Sequence, residues 1–189
     1  MKEHDDKRQL SGAVQIDDVY YGCELRGGKR GRGSENKTPF IMAVSTNKKG
    51  HPIYMNFNVV KGLHLSEVSR WTKNHLVEGS VATSDKLTSF TAVTEPKCEH
   101  FSTIIARGSE SVTKEQVAWV NTMIANVKNS ISDTYHSIET KHLPRYLAEY
   151  CYRFNQSSTL EDMLPRFMYE ALRTPPMPQR YLSMAEFHG

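Results

Sequence analysis

Between Ile53 and Val60 the chain alternates without a break: Ile53, Met55, Phe57 and Val59 share one side, and Tyr54, Asn56 and Asn58 share the other. A period of two is the signature of a strand with unlike faces. Two earlier segments also read as strands, residues 13 to 21 and Phe40-Ile41-Met42-Ala43-Val44-Ser45. Asn47-Lys48-Lys49-Gly50, with glycine near its end, predicts a hairpin turn, so the chain opens as an antiparallel meander. The period then lengthens. Val68, Trp71, His75 and Leu76 recur at helical spacing, with Ser66 as the expected cap and Gly79 as the expected stop. Residues 80 to 84 predict a short strand that delivers Asp85 at its carboxyl end, residues 86 to 93 a short helix, and Phe101 to Ile105 a last strand. Thr113-x-x-Gln116 has the form of a capping box, and it opens a helix with Val117, Val120, Ile124, Val127 and Ile131 at spacings of three and four. Two more helices are expected, over Lys141 to Phe154 and Leu160 to Leu172, although Pro165 disturbs the second. Thr174-Pro175-Pro176-Met177-Pro178 ends regular structure and leaves 174–189 as an extended tail. Residues 1–11 read as a disordered lead-in, which places the folded domain at 12–173.

With 189 residues and 38% hydrophobic content, the chain can bury one sizeable core and not two. No apolar run reaches the roughly 18 residues of a membrane span, and the start Met1-Lys2-Glu3-His4-Asp5-Asp6 lacks a signal peptide's apolar region. A soluble cytoplasmic protein is expected. Cys23, Cys98 and Cys151 are scattered and form no C-x-x-C pair, so neither a disulfide framework nor a zinc ribbon can be built from them. A net charge of +3 is too mild to establish nucleic-acid binding by itself. Its distribution says more. Residues 26 to 37 carry Arg26, Lys29, Arg30, Arg32 and Lys37 against the single acid Glu35, on a glycine-rich loop able to neutralise phosphates. An ordinary solvated connection between strands would look similar, and the loop's place next to Asp17 favours DNA.

Asp17 interrupts an apolar strand, Asp85 closes another, and Asn121 lies on the clearest helix with Lys128 seven residues further on. Acidic groups at strand ends are candidate Mg²⁺ ligands, because magnesium takes hard oxygen donors and is held by few carboxylates together with substrate phosphates. The set therefore points to phosphoryl-transfer chemistry on nucleic acid. Seven residues are nearly two helical turns, so Asn121 and Lys128 share a face, with Ala125 between them.

At these positions the chain resembles a family. Gly12-Ala13-Val14-Gln15-Ile16-Asp17-Asp18-Val19-Tyr20 is similar to the G-x-V-E-x-D-E-x-Y opening of the bacterial insertion-sequence DDE transposases of the ISXO-two-like group. Gly31-Arg32-Gly33-Ser34, the Tyr135-His136 pair and the run from His142 to Asn155 also match, the last resembling H-L-x-R-Y-L-x-E-F-x-F-R-F-N. Together the matches run from about residue 12 to 156. The order strand, strand, strand, helix, strand, short helix, strand, helix is that of the RNase H-like fold, and with it the resemblance implies a mixed sheet flanked by helices, with further carboxyl-terminal helices. In that fold the first and fourth strands are neighbours and the helix after the fifth strand lies against the sheet near their ends, which would gather Asp17, Asp85 and Asn121. It also implies two Mg²⁺ ions, with Mn²⁺ as substitute: Asp17 bridges them, Asp85 holds one and the Asn121 amide oxygen the other, while Lys128 reaches a phosphate. The implied activity is cleavage at transposon ends and strand transfer to target DNA by a homo-oligomer in a synaptic complex, without a membrane and on the nucleoid when bound. Asn121 departs from the family's usual Glu and leaves the site one negative charge short.

Other residues read less sharply. Asp18 should point to the opposite strand face from Asp17 and so act at most indirectly. Tyr135-His136 could approach DNA but packing is the stronger reading, and Cys98-Glu99-His100 is only superficially a metal fragment. Trp71, Trp119, Tyr146, Tyr150 and Phe154 read as core. Family members carry an amino-terminal recognition region, without which the domain is expected to be inactive in isolation. Two rivals follow: an inactive or regulatory relic that binds DNA or dimerises without cutting, and a stand-alone RNase H-like nuclease or resolvase.

Overall fold

A computed structural model describes residues 8–22, 37–85, 87–95, 97–102, 118–135 and 138–184. The expected meander is present: β1 (Ala13–Tyr21), β2 (Thr38–Thr46) and β3 (Pro52–Val59) pair antiparallel in turn. Asn47 closes the β2–β3 hairpin, its Oδ1 accepting N–H bonds from Lys49 at 2.9 Å and His51 at 3.0 Å. Gly50 adopts the φ of +78° that this turn requires.

The chain then crosses over through α1 (Leu65–His75), and β4 (Val81–Ser84) enters parallel to β1, with Ala82 opposite Val14 and Ser84 opposite Ile16. A 3₁₀ segment, Thr88–Thr94, stands where a short helix was expected and leads to β5 (Glu99–Ser102), parallel to β4. The sheet order is β3-β2-β1-β4-β5. Then follow α2 (Ala118–Tyr135), α3 (Leu143–Gln156), α4 (Leu160–Arg173) and the single turn α5 (Gln179–Leu182).

Two buried clusters lie on the two faces of the sheet. Phe40, Met42, Val44, Met55 and Phe57 meet Val120, Val127, Leu143 and Leu147 of α2 and α3. Ile41, Ala43, Val14 and Ile16 meet Val68 and Trp71 of α1 and Phe90 of the 3₁₀ segment. Both faces of β2 are therefore covered, which is why its sequence is an unbroken apolar run rather than an alternation. On β3 the alternation sorts the faces as expected. Met55 and Phe57 are buried under α3, whereas Asn58 Oδ1 accepts the Trp71 indole N–H at 2.9 Å on the α1 side.

Several boundaries differ from expectation. α1 begins at Leu65 after His64, so Ser66 lies inside the helix instead of capping it. The helix also ends at His75, ahead of Gly79, because Leu10 competes for its last turn. The Leu10 N–H donates to the His75 carbonyl at 2.7 Å and Val77 N–H donates to the Leu10 carbonyl at 3.0 Å, a bridge that draws Leu76 into extended backbone. Leu10, placed in the lead-in by the sequence, is fully buried as a result. β5 starts at Glu99 rather than Phe101, so Glu99 and His100 lie in that strand, directly after Cys98. α4 continues through Pro165, and the tail expected to be extended contains α5. Thr113, Gln116, Val117 and residues 103–105 lie outside the described residues. Among the described residues no helix is long and apolar enough to cross a membrane.

Candidate active site

β4 is short. Its pairing with β1 ends at Ile16 and Ser84, while β1 runs on to Tyr21 paired to β2 on its other side. The mismatch opens a notch at the carboxyl end of β4, where its parallel pairing with β1 stops, and open α/β sheets hold ligands at the carboxyl ends of their parallel strands. Asp17 and Asp18 lie on one side of it and Asp85, directly after Ser84, on the other. One carboxylate oxygen from each of Asp17, Asp18 and Asp85 lies within 4.8 Å of the other two, and all three residues are half-buried.

Local bonds orient these groups. Asp17 Oδ1 accepts the Asp18 N–H at 2.8 Å, and Asp85 Oδ1 accepts the Leu87 N–H at 3.1 Å, the turn an aspartate makes with the backbone two residues on. Behind Asp85, the Ser84 hydroxyl donates to the Asp85 carbonyl at 2.9 Å and lies 2.8 Å from His100 Nε2. A hydroxyl has one proton to give, so His100 is the donor in that second contact. Burial lowers the pKa of His100 below its ordinary value.

Asp18 was expected to point away from Asp17. Its neighbours in register agree, since Asp17 pairs with Met42 of one buried cluster and Asp18 with Ile41 of the other. Yet its carboxylate joins the group, because β4 has ended beside it and both faces of β1 open onto the same notch.

α2 buries Val120, Met123, Val127 and Ile131, which leaves Asn121 and Lys128 on its exposed stripe. Both line a cleft of about 560 Å³ together with Asp17, Asp18, Tyr20 and Lys37. Three carboxylates drawn together repel one another unless a cation lies among them, and their oxygens, with an amide oxygen nearby, form a hard donor set suited to Mg²⁺. The residues present fit such an ion.

What holds α2 here is a residue that the sequence reading passed over. Gln15 shares the strand face of Asp17, is only 8% exposed, and its Oε1 accepts the N–H groups of Trp119 and Val120, each at 3.0 Å. The Trp119 indole N–H donates to the Gly50 carbonyl at 2.6 Å, so the β2–β3 hairpin anchors the same end of the helix. The available signal was a polar residue at an inward strand position.

The remaining candidates separate. Lys37 lines the cleft, whereas Arg26, Lys29, Arg30, Arg32 and His136 lie outside the described residues. Tyr135 packs edge-on to Tyr146, with ring centroids 4.4 Å apart, and its hydroxyl donates to Glu149 Oε2 at 2.9 Å. That hydrogen bond to a carboxylate raises the pKa of the phenol above its usual value.

Residues 9–155 match the model of the ISXO2-like transposase domain. The chain is also similar to the crystal structure of the catalytic core domain of BIV integrase, with a TM-score of 0.51 at 15% identity, covering 83% of this chain and 99% of that one. At that identity the likeness is one of fold, and it marks the five-stranded mixed sheet with its flanking helices as RNase H-like. Among curated proteins none matches the chain.

Proposed function

The chain belongs to the ISXO2-like transposase domain family, and from that premise we propose that it cleaves DNA strands at transposon ends and transfers them to target DNA. The observation that carries the reading is the meeting of Asp17, Asp18 and Asp85 within 4.8 Å where the parallel pairing of β1 with β4 ends. Asp17, Asp85 and the Asn121 amide oxygen are the proposed metal ligands. Asp18 adds a third carboxylate close by, which offsets the charge that Asn121 does not supply. Two Mg²⁺ ions, or Mn²⁺ in their place, would supply when bound the positive charge that sharpens an attacking oxygen and stabilises a leaving one.

The protein's own groups do the rest. Lys128 and Lys37, both on the cleft, bind phosphates on either side of the scissile bond. The half-buried carboxylates hold the attacking water or 3′-hydroxyl in line with the leaving 3′-oxygen. In the first step water adds to phosphorus as the bond to the 3′-oxygen breaks, and that oxygen takes a proton to become a free 3′-hydroxyl. In the second, this hydroxyl adds to a target phosphorus and a target 3′-oxygen departs. Bringing two transposon ends together calls for at least two copies of the chain, working in the cytoplasm on nucleoid DNA.

The test is nicking of an end-labelled duplex carrying the insertion-sequence terminus, with Mg²⁺, by wild type and Asp17→Asn. Cleavage by wild type alone, followed by joining to a second duplex, supports transposition. Binding without cleavage supports the regulatory relic, and cleavage without joining supports the nuclease.

A further inference from the structure

We propose that Gln15 is the positioning residue of this site: its buried carboxamide locks the start of α2 onto β1 and so sets Asn121 opposite Asp17. The proposal deepens the reading of Asn121 as a metal ligand and rests on it. The N–H groups in the first turn of a helix have no carbonyl within their own helix to accept them. Here two of them, on Trp119 and Val120, are taken by the same Gln15 Oε1 at 3.0 Å. Asn121 is the next residue. Gln15 itself is two residues from Asp17 on the same strand face, so one side chain spans the two elements that carry opposing donors.

The geometry leaves little latitude. A slip of α2 by one residue carries a side chain about 1.5 Å along the axis and about 100° around it, which would take Asn121 out of the cleft. A ligand set tolerates errors of only about 0.5 Å. The indole of Trp119 restrains the helix at Gly50, but it reaches a hairpin turn, not the strand that holds Asp17. Gln15 alone among these anchors refers α2 directly to β1. Glu, which stands at this position in the motif that the segment resembles, keeps an acceptor oxygen at the same reach and favours a helix start.

Mn²⁺ affinity of the full chain, measured by titration calorimetry, tests this in Gln15→Leu, Gln15→Glu, Asn121→Ala and the double variant Gln15→Leu/Asn121→Ala, each checked for folding by thermal melting. The expected result is about tenfold weaker binding in Gln15→Leu, equivalent to about 1.4 kcal/mol. Gln15→Glu should bind within about threefold of wild type, and the double variant no more weakly than Asn121→Ala, because a positioning residue has nothing left to position. Should Gln15→Leu cost the same tenfold on top of Asn121→Ala, Gln15 would be a general structural residue and the proposal overturned. Wild-type affinity in Gln15→Leu would overturn it as well. Wild-type affinity in Asn121→Ala is a different pattern: it removes Asn121 from the ligands and the positioning role with it. If Gln15→Leu does not fold, Gln15→Glu carries the test, and a tenfold loss there refutes the acceptor role.

Discussion

Gln15 and Asn155 use the same carboxamide chemistry in two regions built for different ends. Asn155, at the end of α3 and 3% exposed, pairs like a strand residue with β3: its Oδ1 accepts the Met55 N–H at 2.8 Å and its Nδ2 donates to the Met55 carbonyl at 2.9 Å. β3 is the last strand on its side of the sheet, so the amide covers backbone groups that an edge would otherwise present. Every polar group in that exchange is satisfied internally. Gln15 instead spends its oxygen on a helix start, beside a notch where carboxylates gather half-buried. One region is closed and the other is held open. The run that most resembles the family, His142 to Asn155, lies in the closed region, where it packs Leu143, Leu147 and Cys151 against the sheet. Resemblance is thus densest in the scaffold, and the chemistry rests on a few residues elsewhere.

The largest expected effect breaks the open region while sparing the closed one. Asp17→Asn should lower Mg²⁺-dependent cleavage by about 10³-fold or more, since metal-mediated charge stabilisation is worth several kcal/mol and each 1.36 kcal/mol is tenfold. Its unfolding midpoint should stay near that of wild type, because Asn has the shape of Asp and keeps the Oδ1 acceptor for the Asp18 N–H. A variant that keeps cleavage, or loses it only by unfolding, would show that the notch is not the active site.

The sequence revealed the parts of this comparison unevenly. β1 was legible to the residue because apolar and polar positions change sharply at both ends, and local pattern can locate Asp17, a charge inside an apolar strand, and Asp85, directly after one. The join of β1 to β4 followed from the order of the elements along the chain, not from either strand's composition. The approach of the Asp18 carboxylate to Asp17 was not legible, because alternation describes a strand with neighbours on both sides and β4 stops beside it. Gln15 was invisible because its partners lie more than a hundred positions away, in a helix start that only folding brings near. The early end of α1 depended on Leu10, another long-range contact in a segment whose composition is polar.

Two smaller effects probe buried parts away from the notch, His75 at the end of α1 and Asn155 in the closed region. His75 is buried against Trp71, and desolvation lowers its pKa from 6.5 to about 4, partly countered by the hydrogen bond that its ring donates to the Arg8 backbone carbonyl. The folded-state value lies below the unfolded one, so between them the unfolded chain binds more protons and gains on the folded one as pH falls. His75 should therefore cost nothing above about pH 6.5 and remove about 3 kcal/mol of stability by about pH 4, with the loss complete once pH has passed through the folded value. Urea unfolding across that window should show the slope in wild type, flattened in His75→Gln. Asn155→Ala should cost about 2 kcal/mol at neutral pH, since two hydrogen bonds are lost in a buried place. Folded Asn155→Ala protein should still bind Mn²⁺ as wild type does. Weakened metal binding at unchanged stability would erase the contrast between the two regions.

The smallest expected effect concerns the rim of the open region. Lys37 begins the described chain after residue 22 and lines the cleft with Asp17, Asn121 and Lys128, so its charge lies where a bound strand would place a phosphate. A lysine that neutralises one phosphate releases about one counterion, and Lys37→Ala should reduce the slope of log affinity against log salt by about 1 while weakening duplex binding a few-fold at moderate salt. The loss should be alike for all duplex sequences, because a phosphate contact positions DNA without reading its bases. Replacing Lys29, Arg30 and Arg32 together by Ala, in the basic segment just before it, should reduce the slope by about 3 if each meets a phosphate. An unchanged slope in Lys37→Ala beside a reduced one in the triple variant would move the DNA path from the cleft rim to the preceding segment. Unchanged slopes in both would take DNA off this side of the domain altogether.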